Sequence, residues 1–272
     1  AISKLLKNKN SFIAARAIFL LGQMGEAGQN VVEKQLDSKD EETRIVAYRA
    51  LRHNQFALIR MAQKMAKDSS PAVRREVALS MRDVPIKQSR QVLREIGKRY
   101  EGNDRSYLEA FGIGSTGVET QVYNATKAVA RNKDPLEWSD AFADIAWRLH
   151  PPAAIGDLAK RSTSASLSHE QRKQAMDALA FTNKRTAANA MMDLAEGDSS
   201  LKQDATWWLL NRVNGFWKNL NLLPTLAKRD IYDPSIVKLQ EVVSTNSADI
   251  PSTYPSMDKL LAMKGDAVRG KT

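Results

Sequence analysis

The stretch "SPAVRREVALSM", residues 70–81, places Arg74, Val77 and Met81 at i, i+3 and i+7. On an α-helix those positions fall on one face, so the segment predicts a helix with a narrow apolar stripe headed by an arginine. Thirty residues earlier, "EETRIVAYRAL" (41–51) carries Arg44, Ala47 and Leu51 at the same offsets. Thirty earlier again, "SFIAARAIFLLG" (11–22) carries Ala14, Ala17 and Leu21, with alanine in the arginine's place. The pattern returns in "QRKQAMDAL" (171–179) with Arg172, Ala175 and Leu179. It recurs thirty residues on in "LKQDATWWL" (201–209) with Lys202, Ala205 and Leu209. A fixed step of this kind marks a repeat architecture.

Polar turns separate the stripes: "LDSKDEET", "KDSSPAV", "SLSHEQ" and "GDSSLK". Their Ser and Asp residues suit the exposed N–H groups of a following helix, and Pro71 suits its first turn. Before each turn stands a second apolar periodic stretch, such as "NVVEKQL", "FALIRMAQKMA", "SRQVLREIGKRY" or "AAIGDLAKR". The unit is therefore helix, turn, helix. One such pair cannot bury its apolar face alone, whereas stacked pairs can. The arginine-headed motif resembles HEAT repeats, whose second helix commonly carries an Arg at this place. The expected fold is all-α, a right-handed α–α superhelix (HEAT-like solenoid) of about seven helix pairs over residues 1–215.

The middle is less regular. In "YEGNDRSYLEAFGIGSTGVE" (100–119), Arg105 and Leu108 stand near the expected phase and three glycines end the helix. "PLEWSDAFADIAWRLHPP" (135–152) reads as an amphipathic helix bearing Trp138 and Trp147, closed by Pro151 and Pro152. Beyond Gly215 the texture changes. Pro224, Pro234, Pro251 and Pro255 break the period, so 216–272 reads as a Pro-containing linker with one short helix, "SMDKLLAM".

Composition narrows the function. The chain has 272 residues, is 43% hydrophobic and contains no cysteine. Disulfides, thiol nucleophiles and covalent haem attachment therefore have no residue to use here. No apolar run approaches the ~20 residues needed to cross a bilayer, so no membrane span is expected. The net charge is +10, and residues 1–100 hold 20 Lys/Arg against 10 Asp/Glu. A basic half can meet an acidic partner, nucleic acid included, or simply be a solvated helix face.

Catalytic signals are sparse. His53, His150 and His169 are far apart, none with a second ligand at metal spacing, so no metal site is expected. Asp140 and Asp144 share a helix face and read as a solvated flank rather than an acid/base pair. "FGIGSTG" (111–117) has the glycines of a phosphate loop without its strand. Trp208 falls on the buried stripe, Trp207 about 100° away from it, and Trp217 where the core needs a cap. No catalytic residue and no cofactor-binding residue is expected.

Four segments carry a wider resemblance: "SPAVRREVALSMRDVP", "KRYEGNDRSYLEAFGIGSTGVE", "IAWRLHPP" and "LLAMKGDAVRGKT" (260–272). In this order they resemble the HEAT-repeat region of large exported bacterial proteins. These are described as membrane-bound dehydrogenases or planctomycete-type haem-binding Cys-x-x-Cys-His proteins. Family members carry a propeller resembling sugar dehydrogenases, then HEAT repeats, then a c-type cytochrome domain. The resemblance covers most of the chain from about residue 70, and "KGDAVRGK" is similar to the first helix of a class I cytochrome c. The family's haem ligands have no matching positions in this sequence. The resemblance implies a piece of a longer exported or periplasmic protein, with haem c in a domain that would follow. Its partners would be the flanking domains of the same polypeptide, or another protein. The expected role is a non-catalytic scaffold, with Arg105, Tyr107, Trp147 and Arg148 as the candidate inter-domain contact. The alternative is a nucleic-acid-binding HEAT solenoid of the alkylpurine DNA glycosylase type, drawing on the basic first hundred residues and on Trp138, Trp147, Trp207 and Trp208.

Overall fold

Six polar side chains set the frame. Asn10, Asp40, Ser70, Asp104, Ser139 and Ser168 each accept a hydrogen bond from a backbone N–H in the first turn of the helix that follows. Those helices are α1 (Ser11–Gly22), α3 (Glu41–His53), α5 (Pro71–Ser80), α7 (Arg105–Gly114), α9 (Asp140–Leu149) and α11 (His169–Ala180). Ser168 and Gln171 bond reciprocally, completing a capping box. Between them lie α2 (Gly25–Glu33), α4 (Leu58–Met65), α6 (Ile86–Lys98), α8 (Glu119–Lys127), α10 (Ile155–Thr163) and α12 (Arg185–Glu196). None of these six starts on a side-chain cap. The chain thus alternates capped helices with helices entered from short turns.

The computed structural model describes residues 2–197, 200–237 and 256–262. Among the described residues the fold is all-helical, with no strand. The capped helices and α13 (Lys202–Val213) form one layer, each packing on the next: α1 on α3, α3 on α5, α5 on α7, α7 on α9, α9 on α11, α11 on α13. In the second layer α4 packs on α6, α6 on α8, and α10 on α12. The stripe residues predicted from the period fill the seam between layers. Ala17, Leu21, Ala47, Leu51, Val77, Met81, Ala175, Leu179, Ala205 and Leu209 are all buried.

The stripe arginines tie one pair to the next. Arg44 grips the Asp68 carboxylate with two bonds of 2.8 Å, while its Nη1 donates to the carbonyls of Ser38 and Lys39. Arg74, buried, donates from Nη1 to the carbonyls of Asp68 and Ser69 at 2.6 and 2.9 Å. Its Nε reaches the Tyr107 hydroxyl at 3.1 Å, and that hydroxyl donates to the Ile96 carbonyl at 2.8 Å. The turn at 68–70 is therefore held by Arg74 of α5 and by Arg44 of the preceding capped helix, α3.

In α7 the register departs from the expectation. Arg105 is the first helical residue and points to solvent, with its side chain 68% exposed, while Leu108 and Phe111 occupy the buried stripe. The cap at Asp104 begins the helix later than a thirty-residue step would place it. Two glycines of "FGIGSTG", Gly112 and Gly114, stand at close contacts with neighbouring helices. A Cβ on Gly114 would lie 2.1 Å from the Ala78 carbonyl oxygen, so α5 and α7 touch backbone to backbone there. Trp138 precedes α9 instead of riding on it, and is buried edge-on against Phe142 at 4.9 Å.

The compact unit runs to Asp233, past the expected end near Gly215. Trp217 is fully buried and donates from Nε1 to the Thr182 carbonyl at 3.1 Å. Leu222 is buried beside it, as is Leu226 of α14 (Leu223–Lys228). The second unit, 234–272, contains α15 (Met257–Ala262) among its described residues. The expected linker at 238–255 and "KGDAVRGK" at 264–271 lie outside the described residues.

Two substitutions test this packing by chemical denaturation. Arg74→Ala removes a buried guanidinium and leaves the Asp68 and Ser69 carbonyls and the buried Tyr107 hydroxyl without its bonds; it is expected to cost about 2–3 kcal/mol, whereas exposed Arg16→Ala stays within about 0.5 kcal/mol. Gly114→Ala forces α5 and α7 apart and is expected to cost about 1–3 kcal/mol.

Candidate functional site

A groove of about 500 Å³ opens on the capped-helix layer across α7, α9 and α11. Tyr100, Arg105, Asp144, Trp147, Lys173 and Asp177 are among the residues that line it. Tyr100 follows α6, and the capped helices α7, α9 and α11 carry the others on the flanks of their buried faces.

Charged groups in and beside the groove are held by neighbours from adjacent pairs. The Arg105 guanidinium lies over the Trp147 ring, 4.9 Å from its centroid. Glu109 receives Arg105 from its own helix at 2.5 Å and Arg148 from α9 at 2.7 Å. Although burial opposes it, Arg148 and Arg105 together hold the Glu109 carboxyl below its ordinary value. Asp144 accepts from the Tyr100 hydroxyl at 3.2 Å and from Gln174 Nε2 at 2.7 Å. Burial, with the Asp144 carboxylate beside it, pushes the Tyr100 hydroxyl up to about 12. Asp177 accepts from Lys173 at 2.9 Å and from Trp208 Nε1 at 2.8 Å.

Beyond Asp177 the surface turns aromatic. Arg212 of α13 sits among Phe181, Trp208 and Phe216, with ring centroids 4.5, 4.7 and 5.5 Å away. Trp207 is 57% exposed and meets Trp208 edge-on. The groove and this patch offer paired charges, amides and aromatic faces, which suit recognition of another surface.

Of the four candidate contact residues, three come together. Arg105, Trp147 and Arg148 form one cluster around Glu109. Tyr107 is buried and its hydroxyl is engaged with Arg74 and Ile96, so it lies inside the fold. The histidines are separate. His53 ends α3, His169 contacts the Ser200 hydroxyl, and His150 closes α9 in a left-handed conformation, φ 30°. Asp140 and Asp144 bond Gln171 and Gln174 of α11. Among the described residues no group of three or more His, Asp or Glu could hold a metal ion.

Sequence reading missed Gln174, Asp177 and Arg212, although a signal existed. Asp144 and Gln174 are 30 residues apart, and Asp177 and Trp208 are 31 apart. The step that placed the stripes also places these flanking cross-links. No known family model matches the chain, and no curated protein matches it.

His150 supplies a pH test. Burial holds its imidazole below the ordinary value of 6.5, and nearby Arg148 adds to the effect, against the bond its Nδ1–H donates to the Trp147 carbonyl. Just below 6.5 the unfolded chain binds more protons than the folded one, so stability falls as pH drops through that value. Below the folded value the loss levels off. Replacing His150 by Asn, which tolerates the left-handed backbone, should flatten the stability profile between about pH 7 and pH 5, measured by urea unfolding.

Proposed function

We propose that this chain is a non-catalytic scaffold, a right-handed α–α superhelix of the HEAT type that spaces and orients the domains flanking it. The observation that carries the reading is the recurrence of side-chain links from one helix pair to the next. Arg44 to Asp68, Arg74 to Tyr107, Arg148 to Glu109, Gln174 to Asp144 and Trp208 to Asp177 link successive pairs along the row from α3 to α13. Repeats that touch only their neighbours, yet are cross-bonded from α3 onwards, make a semi-rigid arm.

The resemblance of four segments to exported redox proteins supplies what the arm would hold: a dehydrogenase-like propeller before it and a c-type cytochrome domain after it. On this reading the parent protein is exported or periplasmic, and the contact with a flanking domain is Arg105, Trp147 and Arg148. The residues present do not fit a covalently held haem, because the chain contains no cysteine. The scaffold would act on electron transfer only by setting distance and orientation.

The absence of cysteine makes the test clean. Spin labels on cysteines introduced at exposed Lys9 and Lys228 should give one narrow distance distribution, unchanged by Arg105→Ala. Fusing the flanking domains should leave that distance unchanged, and Trp147→Ala with Arg148→Ala should weaken their capture at least tenfold. A broad or multiple distribution, or capture indifferent to those substitutions, removes the scaffold reading.

A further inference from the structure

Several cations of the basic first hundred residues take no part in the links described so far, and the fold gathers four of them into a line. On α6, Lys87, Arg90, Arg94 and Lys98 recur every three or four residues, so they share one helix face. Lys87, Arg90 and Lys98 are exposed and Arg94 is half-buried. The row spans roughly 16 Å at about 1.5 Å per residue. At its end Lys98 lines one groove together with exposed Arg131.

Elsewhere in this layer several cations are paired with acids of the adjacent pair. Arg60 and Lys64 of α4 bond Glu33 and Asp37, Lys127 of α8 bonds Asp157, and Arg229 bonds Asp193 and Glu196. Along α6 that pattern stops. Among the described residues Lys87, Arg90, Arg94 and Lys98 form no ion pair and no side-chain hydrogen bond. The acid on the same helix, Glu95, is bonded to Arg99 at 2.9 Å instead. Like charges at this spacing repel, so the fold keeps them together at some loss of stability.

Beside the row lies a groove of about 590 Å³ between α6 and α8. Arg90, Gln91 and Arg94 form one wall, and Gln121, Asn124, Ala125 and Ala128 line the α8 side. The cations stand on one wall only. The other offers amides, which both donate and accept, over small alanines that let a chain lie close. No aromatic ring lines the groove, so it provides no base-stacking platform and no apolar anchor for a bilayer.

We propose that the α6–α8 groove docks an extended acidic polypeptide segment. Its carboxylates meet Lys87, Arg90, Arg94 and Lys98, and its backbone N–H and C=O groups meet Gln91, Gln121 and Asn124. The one-sided charge fits a single line of carboxylates beside a backbone that can donate as well as accept. A sugar–phosphate backbone has no N–H to offer the amide wall.

Fluorescence anisotropy with a fluorescein-labelled peptide of repeated Glu-Ser dipeptides, at low salt, tests this directly. Replacing Lys87, Arg90, Arg94 and Lys98 together by Gln should weaken binding about tenfold or more, and Arg94→Gln alone about threefold. The same change in net charge at Lys4, Lys7, Lys9 and Arg16 should alter it by less than about twofold. Gln121→Ala with Asn124→Ala should weaken the peptide about threefold and leave competition by duplex DNA unchanged. The quadruple α6 variant should melt no lower than the parent, since it relieves repulsion. The proposal is overturned if the peptide fails to bind, or if the control substitutions weaken it as much as those on α6. It also falls if duplex DNA or phosphatidylserine vesicles bind more tightly than the peptide through the same four cations.

Discussion

The turn at Asp68–Ser70 is held from both sides, and the rest of the fold depends on that arrangement. Its carboxylate takes the guanidinium of Arg44 from the preceding capped helix, and its carbonyls take Arg74 from the following one. Ser70 meanwhile caps α5. A short polar turn would otherwise leave exposed acceptors and an uncapped helix end. Here the turn fixes where one pair stops and the next begins. Because the same stripe offsets recur at 44 and 74, the register of one pair is passed to its neighbour.

This explains why the layers differ. Capped helices begin at defined residues and carry the stripes, so their flanks come into fixed register with the helices on either side. Cross-links such as Gln174 to Asp144 and Trp208 to Asp177 follow from that register. The second layer begins on short turns without side-chain caps and is freer in its surface chemistry. The groove of paired charges accordingly lies on the capped layer, and the unpaired cations of α6 lie on the other.

Much of this was legible in the residues. The offsets at 14, 44, 74, 172 and 202, with Asp and Ser before them, specify the helices and the buried seam. Three features were not. The late start of α7 depends on how Glu101–Asp104 turn, and a helical period contains no information about turn length. The end of the compact unit was obscured by Pro224, which reads as a breaker but stands in the first turn of α14, where proline is tolerated. Tyr107 stood among the candidate inter-domain contacts because a period cannot reveal that its hydroxyl completes the shell of a buried arginine. The flanking links were available to the same arithmetic, had polar residues been stepped alongside apolar ones.

Native-state hydrogen exchange on the Arg74→Ala chain tests the central claim, that each pair is fixed through the turn it shares with its neighbours. Amides of α3, α5 and α7 should lose protection together, while α11, α12 and α13 keep theirs. Loss confined to α5, or spread evenly along the whole row, would contradict it.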